Sequence, residues 1–198
     1  MTTEIEAKFI AIDPASLRQK LGELGAVLVH AERSMIRQIF DYPDKRLEKI
    51  GGWVRLRDEG DKITLSYKQL NDRTLHGTKE IEVIINDFFA GVDLLQSINL
   101  ESKSVQETKR EKWKMGEVEI TIDTWPWIPA FMEIEGPTEE QVKKVAQQLD
   151  LAWSLALHGS VEVVYQYYYN VTEEEIWAWK EMRFGSVPEW LERKRIHT

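Results

Sequence analysis

Charged and apolar side chains alternate without a break along Glu4-Ile5-Glu6-Ala7-Lys8-Phe9. A β-strand sends successive side chains to opposite faces, so Glu4, Glu6 and Lys8 share one face and Ile5, Ala7 and Phe9 the other. One strand of this kind is an ordinary solvent-facing strand. Here the sorting recurs. Arg55 and Arg57 oppose Val54 and Leu56, while Lys68 is in phase with Thr64 and Ser66 against Ile63, Leu65 and Tyr67. Glu80 and Glu82 oppose Ile81 and Val83, and Arg110 falls in phase with Lys112. Asp123 opposes Ile120 and Ile122, and Glu133 and Glu135 oppose Met132 and Ile134. Arg37 and Asp41 are weaker candidates of the same type on the segment 27–41.

Turn and cap signals divide the chain around these segments. Strands are expected at about 3–12, 27–41, 53–57, 62–70, 78–85, 100–115, 117–125 and 130–135. Asp13-Pro14 opens a helix with Leu17, Leu21 and Leu24 on its apolar face, ended by Gly25. Phe88, Phe89, Val92, Leu94 and Leu95 suggest a short helix. Thr138 caps another, bearing Val142, Val145 and Leu149. Roughly eight strands fit an antiparallel barrel or a strongly curled sheet, in the mainly antiparallel α+β class. From about 151 onward the chain turns aromatic, with Trp153, Tyr165, Tyr167, Tyr168, Tyr169, Trp177, Trp179 and Trp190. This tail is expected on helices and turns, packing against the barrel. The four histidines, His30, His76, His158 and His197, match no metal spacing and are read as surface or loop residues.

With apolar faces covered by helices, the charged faces point inward. Like charges crowded into a low-dielectric lumen are very costly without counterions. A wet lumen holding metal ions and a polyanion removes the contradiction. Carboxylate oxygens suit hard Mg²⁺ or Mn²⁺, and Arg and Lys suit phosphate oxygens. The chemistry read from the residues is phosphoryl or nucleotidyl transfer on a metal-chelated polyphosphate.

Composition narrows the field. The 198 residues suit one domain and carry a formal net charge of −8, against general nucleic-acid binding. The absence of cysteine excludes disulfides, thiolate zinc sites and cysteine nucleophiles. No membrane span and no signal-peptide pattern is present, which leads to a cytoplasmic expectation without a membrane partner. A homodimer is compatible with the aromatic tail, although no residue demands one.

With these residues placed, the chain resembles the CYTH superfamily, the triphosphate tunnel metalloenzymes that include class IV adenylyl cyclases and thiamine triphosphatases. The E-x-E-x-K hallmark is Glu4-x-Glu6-x-Lys8, and the basic strand is Val54-Arg55-Leu56-Arg57. Thr64-Leu65-Ser66-Tyr67-Lys68 resembles a T-x-K strand, and Glu80-Ile81-Glu82, Lys109-Arg110-Glu111, Ile122-Asp123 and Met132-Glu133-Ile134-Glu135 complete an ordered set over about 3–136. A lysine common two places before the late arginine is replaced by Thr108, and a Gly-containing turn by Trp127-Ile128-Pro129-Ala130.

The resemblance implies an eight-stranded closed β-barrel tunnel over 1–136, with a helical, aromatic-rich extension over 137–198 in the same domain. It implies that Lys8, Arg55, Arg57, Lys68 and Arg110 hold a triphosphate, with Arg37 and Lys112 as additional contacts suggested by alternation. Glu4, Glu6, Glu80, Glu82, Asp123, Glu133 and Glu135 form the implied metal set, with pairing to and orientation of Arg55, Arg57 or Arg110 as the alternative role of Glu80 and Glu82. Glu4, Glu6, Lys8, Glu133 and Glu135 are the residues expected to carry catalysis. The leading expectation is a metal-dependent triphosphatase acting on tripolyphosphate, thiamine triphosphate or a nucleoside triphosphate. A class IV-type adenylyl cyclase, making cyclic AMP and pyrophosphate, is the alternative. A non-catalytic polyphosphate or nucleotide sensor is the third reading.

Overall fold

The computed structural model describes residues 1–197. Its strands are β1 (Thr2–Thr3), β2 (Glu6–Phe9), β3 (Val27–Asp41), β4 (Gly52–Asp58), β5 (Ile63–Leu70), β6 (Thr78–Ile85), β7 (Glu101–Met115), β8 (Val118–Thr124) and β9 (Phe131–Glu135). A two-residue strand, β10 (Glu181–Met182), follows late in the chain. The principal helices are α1 (Pro14–Glu23), α2 (Phe88–Ser97) and α3 (Glu139–Gln148). Short helices α4 (Glu162–Tyr168), α5 (Glu173–Trp177) and α6 (Glu189–Glu192) build the C-terminal part.

The sheet runs β1-β6-β5-β4-β3-β7-β8-β9-β2, antiparallel throughout, with β10 added parallel to β7. It is a curled half-barrel, and its hydrogen-bond ladder does not close into the eight-stranded ring expected from the sequence. The reason lies in the first strand, which breaks at Glu4-Ile5 into β1 and β2. The two ends of the sheet are thus consecutive stretches of one segment. Thr2–Thr3 pairs with β6 and Glu6–Phe9 with β9. Between them the Glu4 N–H donates to the Thr78 carbonyl at 2.9 Å, and the Ile5 carbonyl accepts from Gly136 N–H at 3.1 Å. The other edge of β2 is taken by the C-terminal part, through reciprocal 2.9 Å bonds between Lys8 and Leu157.

Helices cover much of the convex face. Asp13 caps α1, accepting from Ser16 N–H at 3.0 Å, and Leu17 and Leu21 are buried. Leu24, expected on that apolar face, is exposed because the helix has ended by then. Thr138 caps α3, which buries Val142, Val145 and Ala146 against the outward Ile120, Ile122 and Ile134. Each fully buried Val or Leu of this kind contributes about 1.5–3 kcal/mol. The N-cap Asp87 starts α2, which lies so close to the sheet that a Cβ on Gly91 would meet Ile85 at 2.7 Å. The outer face of β6 stays bare, with Ile81 and Val83 exposed. No helix among the described residues is long and apolar enough to cross a membrane.

The aromatic tail forms its own core, in which Tyr165, Tyr168, Tyr169 and Trp179 are buried beside Trp125, Ile128 and Phe131. The Tyr165 hydroxyl donates to the Pro126 carbonyl at 2.8 Å, fixing the β8–β9 connection. Trp127 takes a positive φ of 70° in that connection.

Candidate active site

The concave face of the sheet encloses a cavity of about 280 Å³. All of the expected basic residues, Lys8, Arg37, Arg55, Arg57, Lys68, Arg110 and Lys112, line it. So do Glu4, Glu6, Glu80, Glu82, Glu133 and Glu135. Period-two phase places them there. Lys8 stands beside Glu133 and Glu6 beside Glu135 across β2 and β9, while Lys68 stands beside Glu80 and Ser66 beside Glu82 across β5 and β6.

Opposite charges interlock. Lys8, 2% exposed, lies 2.8 Å from Glu6 and 3.3 Å from Glu133. Arg55 reaches Glu80 at 3.0 Å and Glu82 at 3.3 Å. Lys68 meets Glu4 at 2.8 Å and Glu80 at 3.4 Å, and Lys112 meets Glu119 at 2.5 Å. Arg110 donates to both oxygens of Asp123, at 2.6 and 2.9 Å, and to Glu133 at 2.7 Å.

These contacts set the protonation states. Burial pushes the Glu4 carboxyl up, Lys68 opposes, and Glu80 and Glu6 add to the rise, leaving it at about 8. Burial also acts against ionised Glu80, but its hydrogen bond with Glu4 and the nearby Lys68 and Arg55 hold it down at about 2. Glu4 and Glu80 therefore titrate as a pair that keeps one proton near neutrality. Glu133 is held down at about 2 in spite of burial, by Lys8 and Arg110.

Two expected acids sit elsewhere. Asp123 is fully buried and outside the cavity wall, its oxygens taken by Arg110 and by the Thr121 hydroxyl at 2.6 Å. It backs Arg110 in place of presenting a free carboxylate. Asp41 serves a turn, accepting from the backbone N–H of Tyr42, Leu47 and Glu48.

Other contributors escaped the sequence reading. Glu59 is 6% exposed and pairs with Arg57 at 2.5 Å. It shares phase with Arg55 and Arg57, and that signal was hidden because Asp58–Asp61 reads as a hairpin loop. Glu119 has the phase of Asp123 and lies beside Glu135 across β8 and β9. Ser160, Val161, Glu162, Ile176 and Trp177 close one side from the C-terminal part, where no period marks them. Trp177 meets Trp53 edge to face at 5.7 Å. His30 also lines the cavity, unlike the other histidines.

The acid set offers only oxygen donors. Glu6, Glu135 and Glu119 stand abreast on three adjacent strands, a like-charge row that a cation would relieve. Among the described residues no three acidic or histidine side chains converge as a ready-made metal cage, since the inward carboxylates lean on Lys and Arg. The donor chemistry fits a hard divalent cation such as Mg²⁺ or Mn²⁺.

A curled, mainly antiparallel sheet that is charged on its concave face and apolar on its convex face defines a half-barrel protein with a polar cavity. A model of the CYTH domain matches residues 2–168, and the chain belongs to that family. The match includes α3 and α4, beyond the motif-bearing strands. No curated protein matches the chain. Among solved structures, a Vibrio parahaemolyticus protein provisionally named an adenylate cyclase is similar at 16% identity and a TM-score of 0.72, over 83% of this chain and 98% of that one. PH1012 from Pyrococcus horikoshii OT3 is 20% identical with a TM-score of 0.65, over 77% of this chain and 93% of its own. HpAC1 from Hippeastrum, provisionally named an adenylyl cyclase and described as having a dominant triphosphatase activity, is 14% identical with a TM-score of 0.55 over 89% and 95%. At these identities the likeness establishes the fold.

Proposed function

We propose that the protein is a divalent-metal-dependent triphosphatase that hydrolyses a triphosphate in the cavity. The observation that supports this reading is the convergence of Lys8, Arg55, Arg57, Lys68 and Arg110 on one cavity, beside an oxygen-only acid set. Their side chains engage successive phosphoryl groups, with arginines as bidentate donors and lysines as point charges. Glu4, Glu6, Glu133 and Glu135 would hold Mg²⁺ or Mn²⁺, which supplies charge neutralisation and Lewis acidity at the phosphoryl oxygens. Lys8, fixed between Glu6 and Glu133, places an ammonium at the border of the acidic and basic walls. Glu80 and Glu82 orient Arg55, and Asp123 orients Arg110.

The deciding experiment is a product-resolved assay with Mg²⁺ or Mn²⁺ on tripolyphosphate, thiamine triphosphate and ATP. Release of orthophosphate is the expected result, and no turnover on any of them refutes the proposal. A class IV-type cyclase is the second reading, favoured by the Trp53 and Trp177 rings at the cavity, which offer a surface to a base. Cyclic AMP with pyrophosphate from ATP would select it.

A further inference from the structure

Each of the other cavity cations for which a pairing is given above has a carboxylate partner. Arg37 has none among the described residues. It projects from the middle of β3 into the cavity and is 6% exposed. Its Nη2 donates to the neutral Thr108 hydroxyl at 3.1 Å, and its Nε is buried without a partner. The guanidinium lies over the Trp125 ring, 4.5 Å from its centre. Trp125 is in turn braced edge to face by Tyr165 at 6.5 Å.

The nearby charges make the placement costlier. Arg37 stands directly opposite Arg57 in the β3–β4 register. Burial, then Arg57, Arg55 and Arg110, push its pKa well down, with Asp123 opposing. A guanidinium stays charged in proteins, and a buried charge without a counterion is strongly unfavourable. Charged groups perturbed by burial and like-charge neighbours cluster at functional sites.

We propose that Arg37 is a phosphate seat: a guanidinium with no salt-bridge partner among the described residues, held by Trp125 and Thr108, that takes a phosphoryl group of the cavity's polyanion. The inference rests on the polyphosphate reading above and adds to it a residue whose charge the empty protein bears at a loss. Ligand binding and intrinsic stability therefore oppose each other at this position. Removing the charge relieves the empty protein and weakens the complex.

The test uses the full chain with inorganic tripolyphosphate as the probe, in wild type, R37M, R37K and K8A. Calorimetric titration gives the affinity, and thermal unfolding without ligand gives the stability. R37M is expected to melt at or above the wild-type temperature while binding tripolyphosphate roughly 10- to 100-fold more weakly, the loss of a charged hydrogen bond. R37K recovers part of the affinity. In turnover assays KM rises more than kcat falls. An R37M protein that melts lower, or does not fold, makes Arg37 a structural residue and overturns the inference. Undiminished binding by R37M, with K8A weakened, overturns it while leaving the polyphosphate reading standing. A wild-type protein that does not bind tripolyphosphate refutes that reading and the inference with it.

Discussion

Replacing Asp123 with Asn tests whether this acid serves Arg110 or a metal. Asp123 is 0% exposed and accepts two bonds from Arg110 and one from Thr121. The substitution keeps the shape but sets an uncharged amide against the guanidinium, leaving Arg110 only Glu133 at 2.7 Å. Breaking a buried ion pair on one side costs about 3–5 kcal/mol. Arg110 is 20% exposed, which places the expectation at the lower end, about 3 kcal/mol. With an unfolding entropy of about 2.1 cal/mol/K per residue, a chain of 198 residues then melts about 7 °C lower. Calorimetric unfolding of D123N, R110M and the double variant measures this. In the R110M background the D123N step is expected to shrink to less than about 1 kcal/mol, since the partner is gone. Equal costs in both backgrounds would refute the pairing argument. A wild-type melting temperature together with lost divalent-cation binding would return Asp123 to the metal set.

Further outcomes follow from the same geometry. Glu6→Ala and Glu135→Ala should each lower metal-dependent turnover by at least roughly the 10- to 100-fold that losing an outer partner costs a metal site; normal turnover in either variant sinks the assignment. Burial pushes the Glu162 carboxyl above its ordinary value, with the Ser160 hydroxyl opposing. Its contribution to stability is full below the ordinary carboxylate range and is lost as pH rises through the raised folded-state value, so E162Q should flatten the fall in melting temperature across that interval. An unchanged slope would show that another group causes it. Trp179 meets Tyr165, Trp190 and Trp127 at 5.2, 5.4 and 5.8 Å. Trp179→Ala should therefore cost about 3–5 kcal/mol in thermal unfolding, and a cost under about 1 kcal/mol would mean that the aromatic cluster repacks.

The charged face was legible because a period of two is a local property: Lys8, Arg55, Lys68 and Glu133 follow from parity alone. Pairing was not legible, since it depends on which strands become neighbours. Hence Asp123, in phase with the face, turns out to be taken up by Arg110 behind the cavity wall. Glu59 shows the reverse error, where turn-forming neighbours hid an in-phase acid. The break at Glu4-Ile5 had no signal either, because alternation runs straight through it. Ser160, Val161 and Trp177 reach the cavity from a part of the chain with no strand period to read. Arg37 combines both situations. Its phase was visible, but its lack of a salt-bridge partner among the described residues emerges only when β3 lies between β4 and β7. There it supplies from β3, beside Thr108, a positive charge that β7 lacks at that position.

The segment that joins both ends of the sheet also bears on how the molecule assembles. Residues 2–9 emerge during synthesis before any of the strands they pair with, since their partners are β6, β9 and Leu157, the last about 150 residues later. Contacts of such long sequence separation are slow to form, because loop closure comes before any reward. Glu4, Glu6 and Lys8 consequently wait as an unpaired, alternating strand while the rest of the sheet is made. Their charges keep that waiting strand from pairing with other chains, as charged side chains do on natural sheet edges. The residues proposed to meet the metal and the phosphate thus double as gatekeepers of the nascent chain.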